Sequence, residues 1–159
     1  GEADFGVTYL GTQEPDLEFE PLLEEDFVVA CPRGHALARR RHVRWSELAQ
    51  HECILLAPGT GNRLLIDQAL AGRDLALPWA CEVRHVPAVL DLVEAGLGVG
   101  PVPRFAVPAG SGSALAAIAL VEPRVVRTIG VIRRRGKPLL PAAQAFRELL
   151  AKRARARGR

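Results

Sequence analysis

Apolar and polar positions along this chain switch between a period of two and a period near 3.6, with glycine or proline marking most of the switches. Phe5, Val7 and Tyr9 alternate with Asp4, Gly6 and Thr8, which predicts a strand near the start. Gly11–Asp16 reads as a polar turn. Leu17–Pro32 opens with Leu17 and Phe19 alternating against Glu18 and Glu20, then closes with an unbroken apolar run, Phe27–Cys31. Such a run is expected of a strand buried on both faces. The acidic Glu24-Glu25-Asp26 separates the two halves and predicts a passage from one lobe to another. Arg33–Val43 reads as an exposed basic loop, and Trp45–Gln50 as a short helix capped by Ser46 with Trp45 and Leu48 facing in. Glu52–Pro58 is a strand. It is followed by the loop Gly59-Thr60-Gly61-Asn62 and a helix from about Arg63 to Ala71, with Leu64, Ile66, Ala69 and Leu70 as its apolar positions.

The stretch Val86–Pro103, VPAVLDLVEAGLGVGPVP, organises the rest. Pro87 sits where a first-turn proline is tolerated, because its missing N–H would have had no helical partner. Val89, Leu92 and Val93 make an apolar face, and Gly96 supplies the left-handed residue that stops a helix. Leu97–Val102, with Gly98 and Gly100 interleaved, reads as a tightly approached strand. The preceding Ala80–Val86 is also a strand, so this is a strand–helix–strand unit whose helix N-terminus opens onto the carboxyl end of the first strand. In open α/β sheets ligands sit in that crevice, although a packed unit of this kind can equally serve structure alone. Arg104–Ser113 is a Pro/Gly/Ser-rich loop, Leu115–Val121 and Val125–Ile132 are strands broken apart at Glu122-Pro123, and an amphipathic helix from about Pro141 carries Ala142, Ala145, Phe146, Leu149 and Leu150 before fraying into an Arg/Ala tail.

At 159 residues, with nearly half of them apolar, the chain can build a sizeable core as one large domain or two small lobes. No apolar run approaches the length that spans a bilayer. The absence of methionine, and a start already in strand rhythm, lead us to expect a fragment or one domain of a longer product. The net charge of +3 is set by the C-terminus: Arg147, Lys152, Arg153, Arg155, Arg157 and Arg159 face one acid, Glu148, so the rest of the chain is acidic on balance. A nucleic-acid reader carries its positive charge on its folded body, and this body does not.

Three scattered cysteines, Cys31, Cys53 and Cys81, lie in apolar runs and suit buried thiols in a reducing compartment. The four histidines show no metal spacing, no serine sits in a nucleophile elbow, and Asp91 with Glu94 reads as a solvated helix face. Neither an enzyme nor a metal or cofactor is expected. The loop at Thr60–Asn62 is a second strand–glycine–helix junction, whose free N–H groups suit an anion. It is neither a Walker motif nor a dinucleotide fingerprint.

Six segments in this order resemble the effector-binding domain of LysR-type transcriptional regulators: GEADFGV (Gly1–Val7), LLEEDFVVACPRGHALA (Leu22–Ala38), VRWSELAQHECILL (Val43–Leu56), GTGNRLLIDQAL (Gly59–Leu70), EVRHVPAVLDLVEAGLGVGPVP (Glu82–Pro103) and VEPRVVRTIGVIRRRGKPLLPAAQAF (Val121–Phe146). The resemblance implies an α/β, type 2 periplasmic-binding-protein-like fold of two lobes joined by two crossover strands. Lobe I would comprise 1–26 with 122–159 and be incomplete, and lobe II would comprise 27–121. It further implies a cytoplasmic regulator of bacterial type, sensing a small, carboxylate-bearing effector in the inter-lobe cleft and pairing into a homodimer or tetramer. DNA would be met only through a winged helix-turn-helix that this sequence lacks, together with a linker helix and the opening elements of lobe I. The expected effector-binding residues are Thr60, Gly61, Asn62 and Arg63, Val86 and Pro87, Pro103, and Gly6 with Val7. Thr60 and Asn62 would supply hydrogen bonds. Arg63 is either a bidentate partner of the carboxylate or one member of a surface ion pair. The rival reading is a stand-alone solute-binding protein of the same fold.

Overall fold

The computed structural model describes residues 3–9, 14–73, 75, 79–110 and 112–157. Gly1, Glu2, the first half of the expected polar turn at Gly11–Asp16, and the last two residues lie outside the described set. The chain forms two compact units: Gly1–Glu25 with Arg127–Arg159, and Asp26–Val126. Two long strands, β2 (Leu17–Pro32) and β8 (Val126–Arg134), run from one into the other.

In the second unit, hereafter unit 2, alternation along the central strands sends side chains to two buried clusters. Phe27, Val29 and Cys31 of β2 join Cys53 and Leu55 of β4 (Cys53–Leu56) on one face, with Trp45, Leu48 and Ile66. Val28 and Ala30 join Ile54 and Leu56 on the other, with Val89, Val93 and Val102. The apolar run Phe27–Cys31 is therefore buried on both faces, as its composition requires. Beside β2 lie β6 (Gly100–Pro103) and β7 (Leu115–Val121), both antiparallel to it, and β3 (His42–Arg44) runs parallel to β7. On the other flank β4 pairs in parallel with β5 (Trp79–Val83). It also meets the approach to β6 through a parallel bridge, Cys53 to Val99, where the Ile54 N–H donates to the Val99 carbonyl at 2.9 Å.

Helix α1 (Gly61–Leu70) follows β4 and lays Ile66 on the first face; α2 (Val86–Glu94) follows β5 and lays Val89 and Val93 on the second. Gly96 ends α2 in the left-handed region (φ 82°), with Gly96 N–H bonded to Val93 O and Leu97 N–H to Leu92 O, a Schellman closure. Gly98 and Gly100 are dictated by proximity: a Cβ would collide with the Glu52 carbonyl at the first and with Val89 at the second. That close approach was legible in the sequence, but the strand itself begins only at Gly100.

Several expectations for this unit need correction. The basic stretch Arg33–Val43 is not all loop: it holds a 3-10 turn, Ala36–Arg39, whose first residues are capped by the His35 Nδ1 accepting from Leu37 N–H at 3.2 Å, and then the start of β3. Trp45–Gln50 is a 3-10 turn capped by Glu47, whose carboxylate accepts from Arg44 N–H at 2.9 Å, and Ser46 plays no part. Trp45 and Leu48 do face in, both fully buried. The Trp45 indole donates to Pro123 O at 2.9 Å, which satisfies a buried donor.

In the first unit, hereafter unit 1, β1 (Phe5–Thr8) lies antiparallel to β8, with Val7 opposite Val131, and β8 neighbours β2. A Cβ at Gly130 would strike the Glu20 carbonyl and the Phe19 ring, so this sheet closes only around a glycine. The acidic trio does not interrupt β2. Glu25 stays inside the strand, fully buried, because Arg127 meets its carboxylate at 2.6 Å, with the guanidinium 4.6 Å above the Tyr9 ring. Helix α3 (Pro141–Arg157) runs through the tail that composition marked as frayed. Its contacts include Phe146 on Phe5, ring centroids 5.8 Å apart, and Arg147 with Glu20 at 2.6 Å. The predicted apolar stripe is only partly covered, since Phe146 and Leu149 are each about half exposed.

Candidate functional site

The chain order β4–α1–β5–α2–β6, with β4 between β5 and the approach to β6, places α1 and α2 on opposite faces and both N-termini at the carboxyl ends of parallel strands. This is a topological switch point, the place where open α/β sheets leave a crevice. Within unit 2 it brings Thr60–Arg63, Val86–Pro87 and the end of β6 at Pro103 to one end of the sheet. Pro103 itself is buried where it pairs with Phe27. Asn62 is buried as well, while Thr60, Gly61 and Val86 are half-buried and Pro87 is exposed. Gly6 and Val7 belong to unit 1, where Val7, 55 % exposed, lines an apolar cavity of about 430 Å³ with Leu22, Ile129 and Leu150.

At the first junction, Gly59 turns the chain with φ 83° and Thr60 caps α1. The Thr60 hydroxyl donates to Ala57 O at 2.9 Å and accepts from Arg63 N–H at 3.4 Å. Its one proton is therefore engaged, and a ligand here meets a hydroxyl that can only accept. The N–H of Gly61, first in the helix, has no intrahelical acceptor. At the second junction no side chain caps α2, and Pro87 in the first turn removes one donor, leaving those of Val86 and Ala88.

Arg63 makes the ion pairs of its second expected role. Its guanidinium donates to Asp67 Oδ1 at 2.8 Å, to Leu56 O at 2.9 Å and to Glu82 Oε1 at 3.1 Å. Burial alone would weaken its basicity, but the hydrogen bonds and charges of Asp67 and Glu82 outweigh that and hold its pKa above the ordinary arginine value. It ties the first turn of α1 to the ends of β4 and β5, and its guanidinium is already matched by acids. The spacing from Arg63 to Glu82 spans a helix and a crossover, so no periodicity revealed it. The acid on β5 was visible only as one charged residue in a strand.

Among the described residues, no group of three or more His, Cys, Asp or Glu side chains is placed to hold a metal. Burial pushes the thiols of Cys31 and Cys53 up to about 11, with the charge of Glu52 adding to the second, so neither is a nucleophile near neutrality. No described helix is long and apolar enough to cross a membrane.

A switch point of this kind is the usual place for a ligand in open α/β sheets, and similarity to known proteins narrows the class. Residues 1–155 match the LysR substrate binding domain, and the chain belongs to that family, which is a class of regulator domains and not of enzymes. It is 44 % identical over 149 residues to the HTH-type transcriptional regulator YbhD of Escherichia coli (strain K12), covering 94 % of this chain and 47 % of the relative. It is 33 % identical to the HTH-type transcriptional regulator YfeR of Shigella flexneri, covering 92 % of this chain and 47 % of the relative. The chain thus spans about half the length of the curated relatives it matches. Among solved structures, the effector binding domain of QuiR in complex with shikimate superposes with a TM-score of 0.79 at 23 % identity, covering 98 % of this chain and 73 % of that one. This shared fold is the type 2 periplasmic-binding-protein-like α/β architecture expected from the sequence.

Proposed function

We propose that this chain is the effector-sensing part of a LysR-type transcriptional regulator that binds a small, carboxylate-bearing metabolite and relays its presence to a DNA-binding domain elsewhere in the protein. The observation that carries the reading is the switch point in unit 2, where two helix N-termini offer backbone donors at the ends of adjacent parallel strands. The shikimate bound by QuiR, itself a carboxylate, supports the ligand class. The residues proposed to meet the effector are Thr60, Gly61, Asn62, Val86, Pro87 and Pro103, with Gly6 and Val7 as the contribution of unit 1. Arg63 holds the first turn of α1 in place through Leu56 and Glu82 and acts on the effector indirectly. The lobes are taken as 1–26 with 122–159, and 27–121. A ligand preferring one arrangement of the lobes shifts their equilibrium by no more than its differential affinity, and that shift is the signal. The whole regulator is proposed to be cytoplasmic and to work as a homodimer or tetramer.

The test uses the full-length product of the native gene in a promoter-reporter assay over a panel of small carboxylates. An effector found there should lose at least tenfold in potency on Gly61→Pro, which removes the N–H donor at a position where proline suits a helix start. Thr60→Val should leave DNA affinity unchanged while weakening the response. A response indifferent to both substitutions removes the α1 junction from the site.

A further inference from the structure

Another concavity of unit 2, about 450 Å³, is lined by residues of β2 and β7 together with Arg41, which precedes β3. Its floor is made of small side chains: Ala117 and Ala119 alternate onto this face of β7, and Ala119 stands opposite Val28 on one neighbour and His42 on the other. Three arginines border it. Arg104 follows the end of β6 and Arg41 precedes β3, so they approach from opposite edges of a four-strand span, about 14 Å at the usual strand spacing. Arg124 is the third, and the one acid of the lining, Asp26, already meets it at 2.6 Å.

Arginines nearby are matched with acids: Arg40 with Glu47 at 3.0 Å and Arg44 with Glu122 at 3.1 Å. Arg41 between them and Arg104 across the floor have no acid partner among the described residues. Two arginines from positions 63 apart line one cavity with an alanine floor, and with the local acid already engaged they leave an excess of positive charge beside an apolar surface. Arginine presents planar donors suited to phosphate oxygens.

We propose that this face binds a small phosphate ester, its dianion held between Arg41 and Arg104 and its carbon skeleton resting on Ala117 and Ala119. Thr60, Gly61, Val86 and Pro87 do not line this cavity, although Phe27 pairs with Pro103 and Arg104 follows it, so the regulator would read a second metabolite class beside its effector site. The test is isothermal titration of the full-length gene product with glycerol 2-phosphate in chloride buffer at constant ionic strength. The expected result is saturable one-to-one binding, weakened at least tenfold in an Arg41→Gln/Arg104→Gln variant and unchanged in Thr60→Ala. Ala119→Glu, which leaves both arginines in place and sets a carboxylate on an exposed part of the floor, should abolish it; this variant decides the matter if the double variant folds poorly. Absence of saturable binding, equal affinity in the variants, or loss on Thr60→Ala would overturn the proposal, and none of these outcomes bears on the effector reading.

Discussion

Unit 2 packs apolar side chains on both faces of its strands, around Trp45 and Phe27 on one side and Val89 and Val93 on the other. In unit 1 the fully buried described residues are Glu25, Gly130, Val131 and Ala154, while Val7, Phe146 and Leu149 are half exposed. Charge pairs replace much of the missing apolar interior there: Arg127 with Glu25, Arg147 with Glu20 and Arg133 with Glu18, each at 2.6 Å. One strand, β2, serves both regimes. Its first half alternates and pairs its acids with arginines, and its second half is apolar throughout. The same backbone geometry is thus stabilised by burial at one end and by charge complementarity at the other, so the two units should respond differently to mutation, salt and acid.

The largest expected effect is on unit 2. Trp45→Ala removes a fully buried indole and orphans the Pro123 carbonyl it binds, and should cost about 3–5 kcal/mol. Both tryptophans, Trp45 and Trp79, lie in unit 2, and circular dichroism during urea unfolding checks the loss. Glu25→Ala comes next. It strands Arg127, whose side chain is 15 % exposed, and should destabilise unit 1 by about 3 kcal/mol. Tryptophan fluorescence will miss that transition, whereas the emission of Tyr9, the one tyrosine, will follow it. A Glu25→Ala chain whose tyrosine and tryptophan transitions both shift equally would erase the distinction between the units.

Asp26→Asn breaks the neighbouring pair with Arg124, but both side chains are well exposed, and the loss should stay under about 1 kcal/mol. Adjacent acids on one strand would then differ severalfold in worth. The smallest effect concerns acid. Burial and the nearby charge of His51, whose ring centroid lies 5.2 Å away, hold the His35 pKa below the ordinary value. The unfolded chain therefore takes up its proton first as pH falls below about 6.5, and unit 2 loses stability as pH continues down through the folded value. His35→Asn, which keeps a capping acceptor, should flatten that slope in melts between pH 7 and pH 5.

Much of the second unit was legible in the sequence because its signals are local. The strand Leu115–Val121 and the helix Val86–Glu94 are bounded by their own proline, glycine and apolar rhythm, and Gly96 and Gly98 announced their turns and contacts. What stayed hidden depends on partners far along the chain. The strand β3 lies inside a basic stretch and exists because β7, some 75 residues later, offers it an edge. The unbroken course of β2 through Glu24-Glu25-Asp26 depends on an arginine 102 residues away. At the candidate site the helix starts were readable from glycine, threonine and proline, since capping is a matter of a few residues. The commitment of Arg63 was not, because Glu82 reaches it only once β4 and β5 are paired.

The buried pair of Glu25 and Arg127 has a consequence for descent. A lineage that loses either residue alone passes through a chain with an uncompensated charge in its interior, so single steps away from the pair are selected against. Exchange for two apolar residues of similar volume is close to neutral once both changes are made. Positions 25 and 127 should therefore vary together or not at all among descendants of this sequence, and a gene tree should show their replacements falling on the same branches.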